Sequence, residues 1–461
     1  MAIPISSTVA RGSQRGAVLR LGLPAVGEQL LGLMVGLVDT YLVGHLSASV
    51  ASDRGYTRET ALAAVGIAGQ VAWTLVTLFM AVALGCTVVV ARFVGADDRP
   101  MANRALRQAL LIGLMMGGLA TLLAYVFAPQ LLAMLGAAAD VRLLGAHYLR
   151  ISTVAFPLTA LLYIGNAALR GSGDTRTPLL VMLVVNAVNA VLSLALVNGN
   201  FGLPALGING AAIGAAAGQS LGGVIIITML IRGRSGLRIG KFPRPNRELM
   251  WRILRQGLPY GAEQFVFQAA LLIFVHFING IGITAYAAHT TIITIESISF
   301  MPGMGIAVAA TTLVGQAMGA RDPDLASESG YESYRLGGLI MAFFGVLFVL
   351  MPEVFLRFFV ADEGVVRAAA TPLRMVGFAQ PALAANFIFS GALRGGGDPK
   401  WPLFTKMFSV WLVRLPLAWL LVYQAGWGLN GIWLAMCTDF AVQGTLAWWR
   451  FRQGKWRTMK V

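Results

Sequence analysis

Twelve apolar runs, each near the roughly 20 residues that a helix needs to cross a bilayer, constrain this chain before anything else. They lie at about 20–44, 61–90, 105–128, 146–168, 177–198, 208–231, 253–279, 284–314, 335–356, 368–392, 401–424 and 429–449. Only 12% of the residues are charged while 57% are hydrophobic, too few charges to clothe a soluble core. The 54 glycines are scattered among Leu, Val, Ala and Met, as in membrane helices that pack closely, and do not signal disorder. The run from Leu21 follows Arg11, Arg15 and Arg20. It is too long for a secretory leader, contains Glu28 and Asp39, and has no small-residue cleavage site, so it reads as the first membrane helix.

A net charge of +15 would suggest nucleic-acid binding in a soluble domain, so the placement of the basic residues matters. Counted over alternate loops from the N-terminus, 27 of the 35 Arg and Lys fall on one side. Basic residues mark the cytoplasmic side during insertion. Both termini and the basic stretch at 232–255 are therefore expected in the cytoplasm, in a multi-pass protein of the inner (plasma) membrane, and no nucleic-acid partner is needed to explain the charge. Cys86 and Cys437 both lie in apolar stretches and make neither a disulfide framework nor a metal site.

The sequence also repeats itself. Gly22-Leu23-Pro24 with Glu28-Gln29 returns as Gly257-Leu258-Pro259 with Glu263-Gln264, and Leu169-Arg170-Gly171-Ser172-Gly173-Asp174 returns as Leu393-Arg394-Gly395-Gly396-Gly397-Asp398. Pro157 and Pro381, Gly95 and Gly319, and Gly207-Ile208-Asn209-Gly210 and Gly428-Leu429-Asn430-Gly431 keep the same order. The expected fold is an all-α membrane protein of twelve transmembrane helices in two six-helix lobes. Residues 1–240 form one lobe, with a basic linker at about 232–252, and residues 253–461 the other. Six helices per copy is an even number, so the lobes are parallel and related by a pseudo-two-fold axis along the membrane normal, an arrangement that suits rocking about a central cleft.

At these residues the chain resembles the multidrug and toxic compound extrusion (MATE) family, in its bacterial branch, of the multidrug/oligosaccharidyl-lipid/polysaccharide exporter superfamily. The likeness rests on the Pro24 helix ending in Val38-Asp39-Thr40-Tyr41-Leu42-Val43-Gly44-His45-Leu46 and on the duplicated Leu-Arg-Gly-x-Gly-Asp turn. Ala287-Ala288-His289 and Ile295-Glu296-Ser297 with Phe300-Met301-Pro302-Gly303 extend it. The resemblance spans nearly the whole chain. It implies secondary active export of organic, mostly cationic compounds by antiport with sodium ions or protons through alternating access. It also implies no cofactor beyond the coupling ion, small organic cations or drugs and membrane lipids as partners, and a monomer.

A carboxylate in hydrocarbon is expensive, so acids inside spans are functional candidates. Five of the twenty qualify: Glu28, Asp39, Glu263, Glu296 and Asp439. Glu28 and Asp39 are eleven residues apart, about three helical turns, and share one face roughly 16 Å apart along the axis. In the resembling family an aspartate at the Asp39 position belongs to an ion or proton site of the N-terminal lobe, with polar residues from the fifth helix, where Asn186 and Asn189 stand here. A second aspartate is often found four residues later, but this chain has Ser193. In other branches the cation site uses acids of the seventh, eighth and tenth helices. Glu263 and Glu296 match the first two in kind, and the tenth helix offers Gln380 and Asn386. Either lobe is thus a candidate, and the ion is sodium or a proton.

Structural roles compete with these. Glu28 and Glu263 are repeat-related and each follows a proline, so bonding to backbone groups freed by Pro24 and Pro259 is an equal alternative. Asp39 faces Phe274 in the repeat and Glu296 faces Ala72, and this asymmetry favours a site role. Asp439 is expected to pair with Arg414. Asp174 and Asp398, beside Arg170 and Arg394, are expected to form turn-stabilising or gating salt bridges. His276 and His289 read as satisfied hydrogen-bonding groups, and Trp448, Trp449 and Trp456 as interfacial anchors. Within the superfamily the rival is a flippase of lipid-linked oligosaccharides, which needs a more cationic cavity to meet pyrophosphate than five acids against one deep arginine provide. An enzyme is not expected: there is no His-Glu-x-x-His, Gly-x-Ser-x-Gly or phosphate-binding loop, so an ion gradient supplies the energy.

Overall fold

The computed structural model describes residues 14–240, 244–459 and 461. Arg11, Lys241 and Lys460, three of the basic residues counted above, lie outside the described residues. The described chain is nearly all helical and contains no strand. In chain order the long helices are α1 Gln14–Gly44, α2 Arg58–Gly95, α3 Arg99–Met134, the bent pair Ala139–Val154 and Phe156–Gly171 taken together as α4, α5 Arg176–Val197 and α6 Ile208–Arg232. The second six are α7 Arg247–Ile281, α8 Ile283–Gly319, α9 Pro323–Leu350, α10 Glu363–Gly395, α11 Lys400–Gln424 and α12 Gly428–Gln453. Ten of these are individually long and apolar enough to cross a membrane, and the bent pair makes an eleventh. The remaining one, α12, carries Asp439 in its middle and Arg450 and Arg452 at its end.

Several helices exceed the expected spans. The 38 residues of α2 rise about 57 Å at 1.5 Å per residue, well beyond a hydrocarbon core of about 30 Å, so its ends reach into the aqueous layers. The run expected as one helix at 146–168 is broken instead. It bends by 53° between Val154 and Phe156, where Pro157 starts the second helix and has no amide hydrogen to continue the first ladder.

By internal contacts the chain forms two compact units. The N-terminal unit holds Gly27–Val90 and Asp98–Gly257; the C-terminal unit holds the chain as far as Val26, Ala91–Asp97 and Leu258–Val461. Within the N-terminal unit a core of Val43, Leu46, Ala64, Leu132, Leu149 and Ile208 is fully or nearly excluded from solvent. The C-terminal unit is packed around Phe274, Phe348, Ile432 and Trp433, and around Ile306, Phe389 and Trp456. Residues such as Leu122, Phe343 and Phe378 stay exposed, as helix faces turned to lipid do.

The repeat persists in atomic detail. Thr87 donates to the Ala167 carbonyl at 3.0 Å, and Thr311, 224 residues on, donates to that of Gly391 at 2.9 Å. Asp97 and Arg321 adopt the left-handed conformation at φ 56° and 60°. The aspartates that follow, Asp98 and Asp322, cap α3 and α9 by accepting from Met101 and Leu325. Gly173 and Gly397, at φ 91° and 90°, end α4 and α10 in the conformation that glycine tolerates best.

Trp448 and Trp449 are partly exposed, but Trp456 is fully buried. Its ring stacks on Phe451 at 4.8 Å and its indole nitrogen donates to the Phe451 carbonyl at 2.8 Å. Trp456 is thus a packing residue of the C-terminal unit and not an interfacial anchor, because the chain turns back at Gly454, φ 72°.

Candidate functional site

In the N-terminal unit, α1 and α5 present their polar residues to each other. Asp39 is buried, and its Oδ1 accepts from the amide of Asn189 at 3.1 Å and from the hydroxyl of Ser193 at 3.2 Å. Asn189 and Ser193, one helical turn apart, are both fully buried. No Lys, Arg or His pairs with Asp39 among the described residues. The amide oxygen of Asn189 is left without a partner. Behind the pair, α6 approaches through Gly214 and Gly218: a Cβ at Gly214 would overlap the Ser193 hydroxyl, and one at Gly218 the Val185 carbonyl. Glycine is needed there because two backbones meet where a side chain would stand.

Asn186 lies two turns of α5 away from Ser193 and does a different job. Its amide nitrogen donates to the carbonyls of Leu31 and Met182, each at 2.9 Å, which braces α5 against α1. Beside the site, Leu37, Val38, Tyr41, Leu42, Ala190 and Leu194 line a cavity of about 370 Å³ along the two helices.

Glu28 is also buried, and Arg170 donates to its Oε1. The carboxylate therefore meets the guanidinium of the duplicated turn and not a backbone group freed by Pro24. Arg170 occupies the last turn of α4, and Asp174 lies beyond the left-handed Gly173 with partners of its own. Asp174 accepts from the hydroxyl of Ser235 at 2.6 Å, from the backbone amide of Thr177 at 2.9 Å and its hydroxyl at 2.7 Å, and lies 3.5 Å from Arg234. Burial pushes its carboxyl up, but the bonds from Ser235 and Thr177 and the Arg234 charge outweigh this and hold it below the usual carboxylate range.

The C-terminal unit repeats the brace with additions. Glu263 Oε2 lies 2.6 Å from Arg394 and its Oε1 3.2 Å from Lys406, while Asp398 is bound by Arg450 at 2.8 Å. Deeper in this unit, Asp439 accepts from Ser409 and, at 2.8 Å, from Gln443, with Arg414 at 3.9 Å from its other oxygen. A π-helical stretch at Ser409–Arg414, next to Pro416, places Ser409 and Arg414 on the buried side of α11. Glu296 is buried with Oε1 unpartnered, and both amide atoms of buried Gln380 are unpartnered as well. Asn386 donates to Gln443 at 3.1 Å. His289 sits between the rings of Phe274 and Trp433 with Nδ1 unpartnered, and His276 is exposed.

The structure thus brings Asp39 and Asn189 together and adds Ser193, whose sequence signal was only the absence of an acid. It places Glu28 and Glu263 in ion pairs with Arg170, Arg394 and Lys406. Those pairings were not legible, since the partners are more than 130 residues apart.

The MatE family model matches residues 24–195 and 259–420, one match in each repeat. The probable multidrug resistance protein NorM of Thermotoga maritima is 31% identical over 448 residues, covering 97% of this chain and 94% of that protein. A probable NorM of Agrobacterium fabrum is 28% identical, covering 94% and 93%. A crystal structure of MATE in the bent conformation superposes with a TM-score of 0.87 at 21% identity over 96% of each chain. A MOP superfamily transporter from Pyrococcus furiosus gives 0.85 at 22% identity over 95% of each. Two matches in repeat register and near-complete coverage leave one assignment: the chain belongs to the MatE family, the multidrug and toxic compound extrusion transporters of the membrane.

Proposed function

We propose that this protein is a multidrug efflux transporter that exports organic, mostly cationic compounds by antiport with sodium ions or protons, and that Asp39 carries the exchangeable ion. The observation that bears this reading is the state of Asp39 itself. It is buried and bonded by two neutral groups, and no basic side chain among the described residues compensates it. A buried carboxylate without a fixed counter-charge is strongly disfavoured, so it takes up a mobile one. A proton neutralises it directly; a sodium ion finds a hard oxygen donor in the carboxylate, in the unpartnered Asn189 oxygen and in the Ser193 hydroxyl.

An organic cation and the coupling ion then compete for one negative charge, which is the elementary requirement of antiport. The two six-helix lobes, residues 1–240 and 253–461, alternate access to either side of the inner membrane, with both termini cytoplasmic. The Thermotoga maritima and Agrobacterium fabrum relatives, each named a probable multidrug resistance protein, support drug-type substrates. The test is proteoliposomes loaded with a fluorescent cationic dye under an imposed sodium or pH gradient. Gradient-driven dye movement that is lost in Asp39→Asn supports the reading and identifies the ion; Asp39→Asn with wild-type coupling overturns it.

A further inference from the structure

The basic linker between α6 and α7 is built into the N-terminal unit. Arg234 and Leu237 pair through both backbone groups, at 2.9 and 2.8 Å, around Ser235 and Gly236, whose φ values are 54° and 77°. Two left-handed residues in succession make the tight turn of a two-residue hairpin. Ser235 donates to Asp174 at 2.6 Å and Leu237 is fully buried, so the hairpin is fixed in place.

Side chains spaced along α3 hold the rest of the linker by its backbone. Arg99 donates to the Ser235 carbonyl at 3.2 Å, and Asn103 accepts from the amide of Arg238 at 2.7 Å. Gln108, only 2% exposed, donates to the Arg244 carbonyl at 3.1 Å and accepts from the Asn246 amide at 3.0 Å. Because α3 engages the backbone, the side chains of Arg238 and Arg244 are left exposed, as are Arg232, Arg247 and Arg255 along the same segment and Arg104 on α3. None of these six meets an acid among the described residues; the ion pairs of this segment are Arg234 with Asp174 and Arg252 with Glu248. The end of the second repeat differs: there Asp398 takes Arg450 at 2.8 Å, Asp324 takes Arg457 at 3.2 Å, and Arg452 covers Trp448.

Position decides what six unpaired guanidiniums meet. Arg232 ends one candidate span and Arg247 begins the next, so the linker lies at the membrane surface. Trp251 and Arg255, one turn apart on α7, are both exposed, an indole and a guanidinium on one face as suits the headgroup level. We propose that this pinned arginine shelf is a docking surface for anionic phospholipids, whose phosphate groups it takes in the guanidinium forks of Arg238, Arg244 and their neighbours. Guanidinium matches phosphate in a bidentate geometry, and a cluster of about four to eight basic residues next to a span attracts acidic headgroups.

The purified full chain in detergent is titrated with short-chain phosphatidylglycerol and with phosphatidylcholine of equal chain length, and bound lipid is counted by native mass spectrometry. Wild type is expected to bind phosphatidylglycerol more tightly. Each basic residue near the headgroups is worth about fivefold in affinity, so Arg238→Gln with Arg244→Gln should weaken phosphatidylglycerol about 25-fold and leave phosphatidylcholine unchanged. Arg58→Gln with Arg367→Gln removes two charges from exposed positions elsewhere and should bind as wild type does. Gln108→Leu keeps every charge but releases the linker backbone from α3, and should also weaken phosphatidylglycerol. Equal binding of the two lipids by wild type, or wild-type affinity in the linker pair, overturns the proposal. Equal losses in the linker and control pairs overturn it as well, because net charge alone then accounts for the attraction, and wild-type affinity in Gln108→Leu overturns the pinned shelf.

Discussion

Arg170→Met is the perturbation that most directly tests the brace on α1. Glu28 and Arg170 have side-chain exposures of 8% and 16%, so neither has water to replace the other. Removing one partner of a buried pair costs about 3–5 kcal/mol because it leaves an uncompensated charge, while replacing both by apolar or neutral groups of similar volume is often near neutral. Arg170→Met and Glu28→Gln are therefore each expected to lower stability, and the double variant to recover most of the loss. At roughly 2 °C per kcal/mol, the single variants fall by about 6–10 °C in thermal midpoint, read by fluorescence-detected size exclusion in detergent. The coupling energy from the double-mutant cycle should reach about 3 kcal/mol, the upper part of the range for residues in contact. Additive losses, with coupling under about 0.5 kcal/mol, would refute the claim that Arg170 is the counter-charge of Glu28.

Further outcomes follow from other sites. Gly214→Ala places a Cβ against the Ser193 hydroxyl and the α5 backbone and should lower gradient-driven dye movement in proteoliposomes, whereas Gly118→Ala, which meets nothing within 4 Å, should leave transport unchanged and stabilise α3 by about 0.5–1 kcal/mol. Because the Asp174 carboxyl is held below its usual range, its contribution is present in full above the unfolded value of about 4 and disappears as pH falls through the folded value. Asp174→Asn should accordingly flatten the loss of stability between neutral and acid pH, a difference visible in thermal midpoints taken across that window. Trp456→Ala removes a fully buried ring from the C-terminal unit and should cost about 3–5 kcal/mol, read as a lower midpoint with the cationic-dye preference intact.

Apolar length and repeated turn chemistry are local properties of the chain, so the helices, their number and the duplication are legible in the residues alone. The spacing of Leu-Arg-Gly-x-Gly-Asp already contained the left-handed glycines Gly173 and Gly397, and the acids inside apolar runs already marked Asp39, Glu28, Glu263 and Glu296 as unusual. Which of those acids has a counter-charge was decided only in three dimensions. Arg170 reaches Glu28 across 142 residues and Arg394 reaches Glu263 across 131, and no periodicity records a contact at that separation. The same holds for Ser193, which looks in sequence like a missing partner and in the structure donates to Asp39, and for Trp456, whose aromatic character suits an interface until the turn at Gly454 folds it inward. Hydropathy fixes how deep a residue lies along a helix; the rotation and crossing of neighbouring helices fix what it faces, and the charge balance of each unit is a property of the latter.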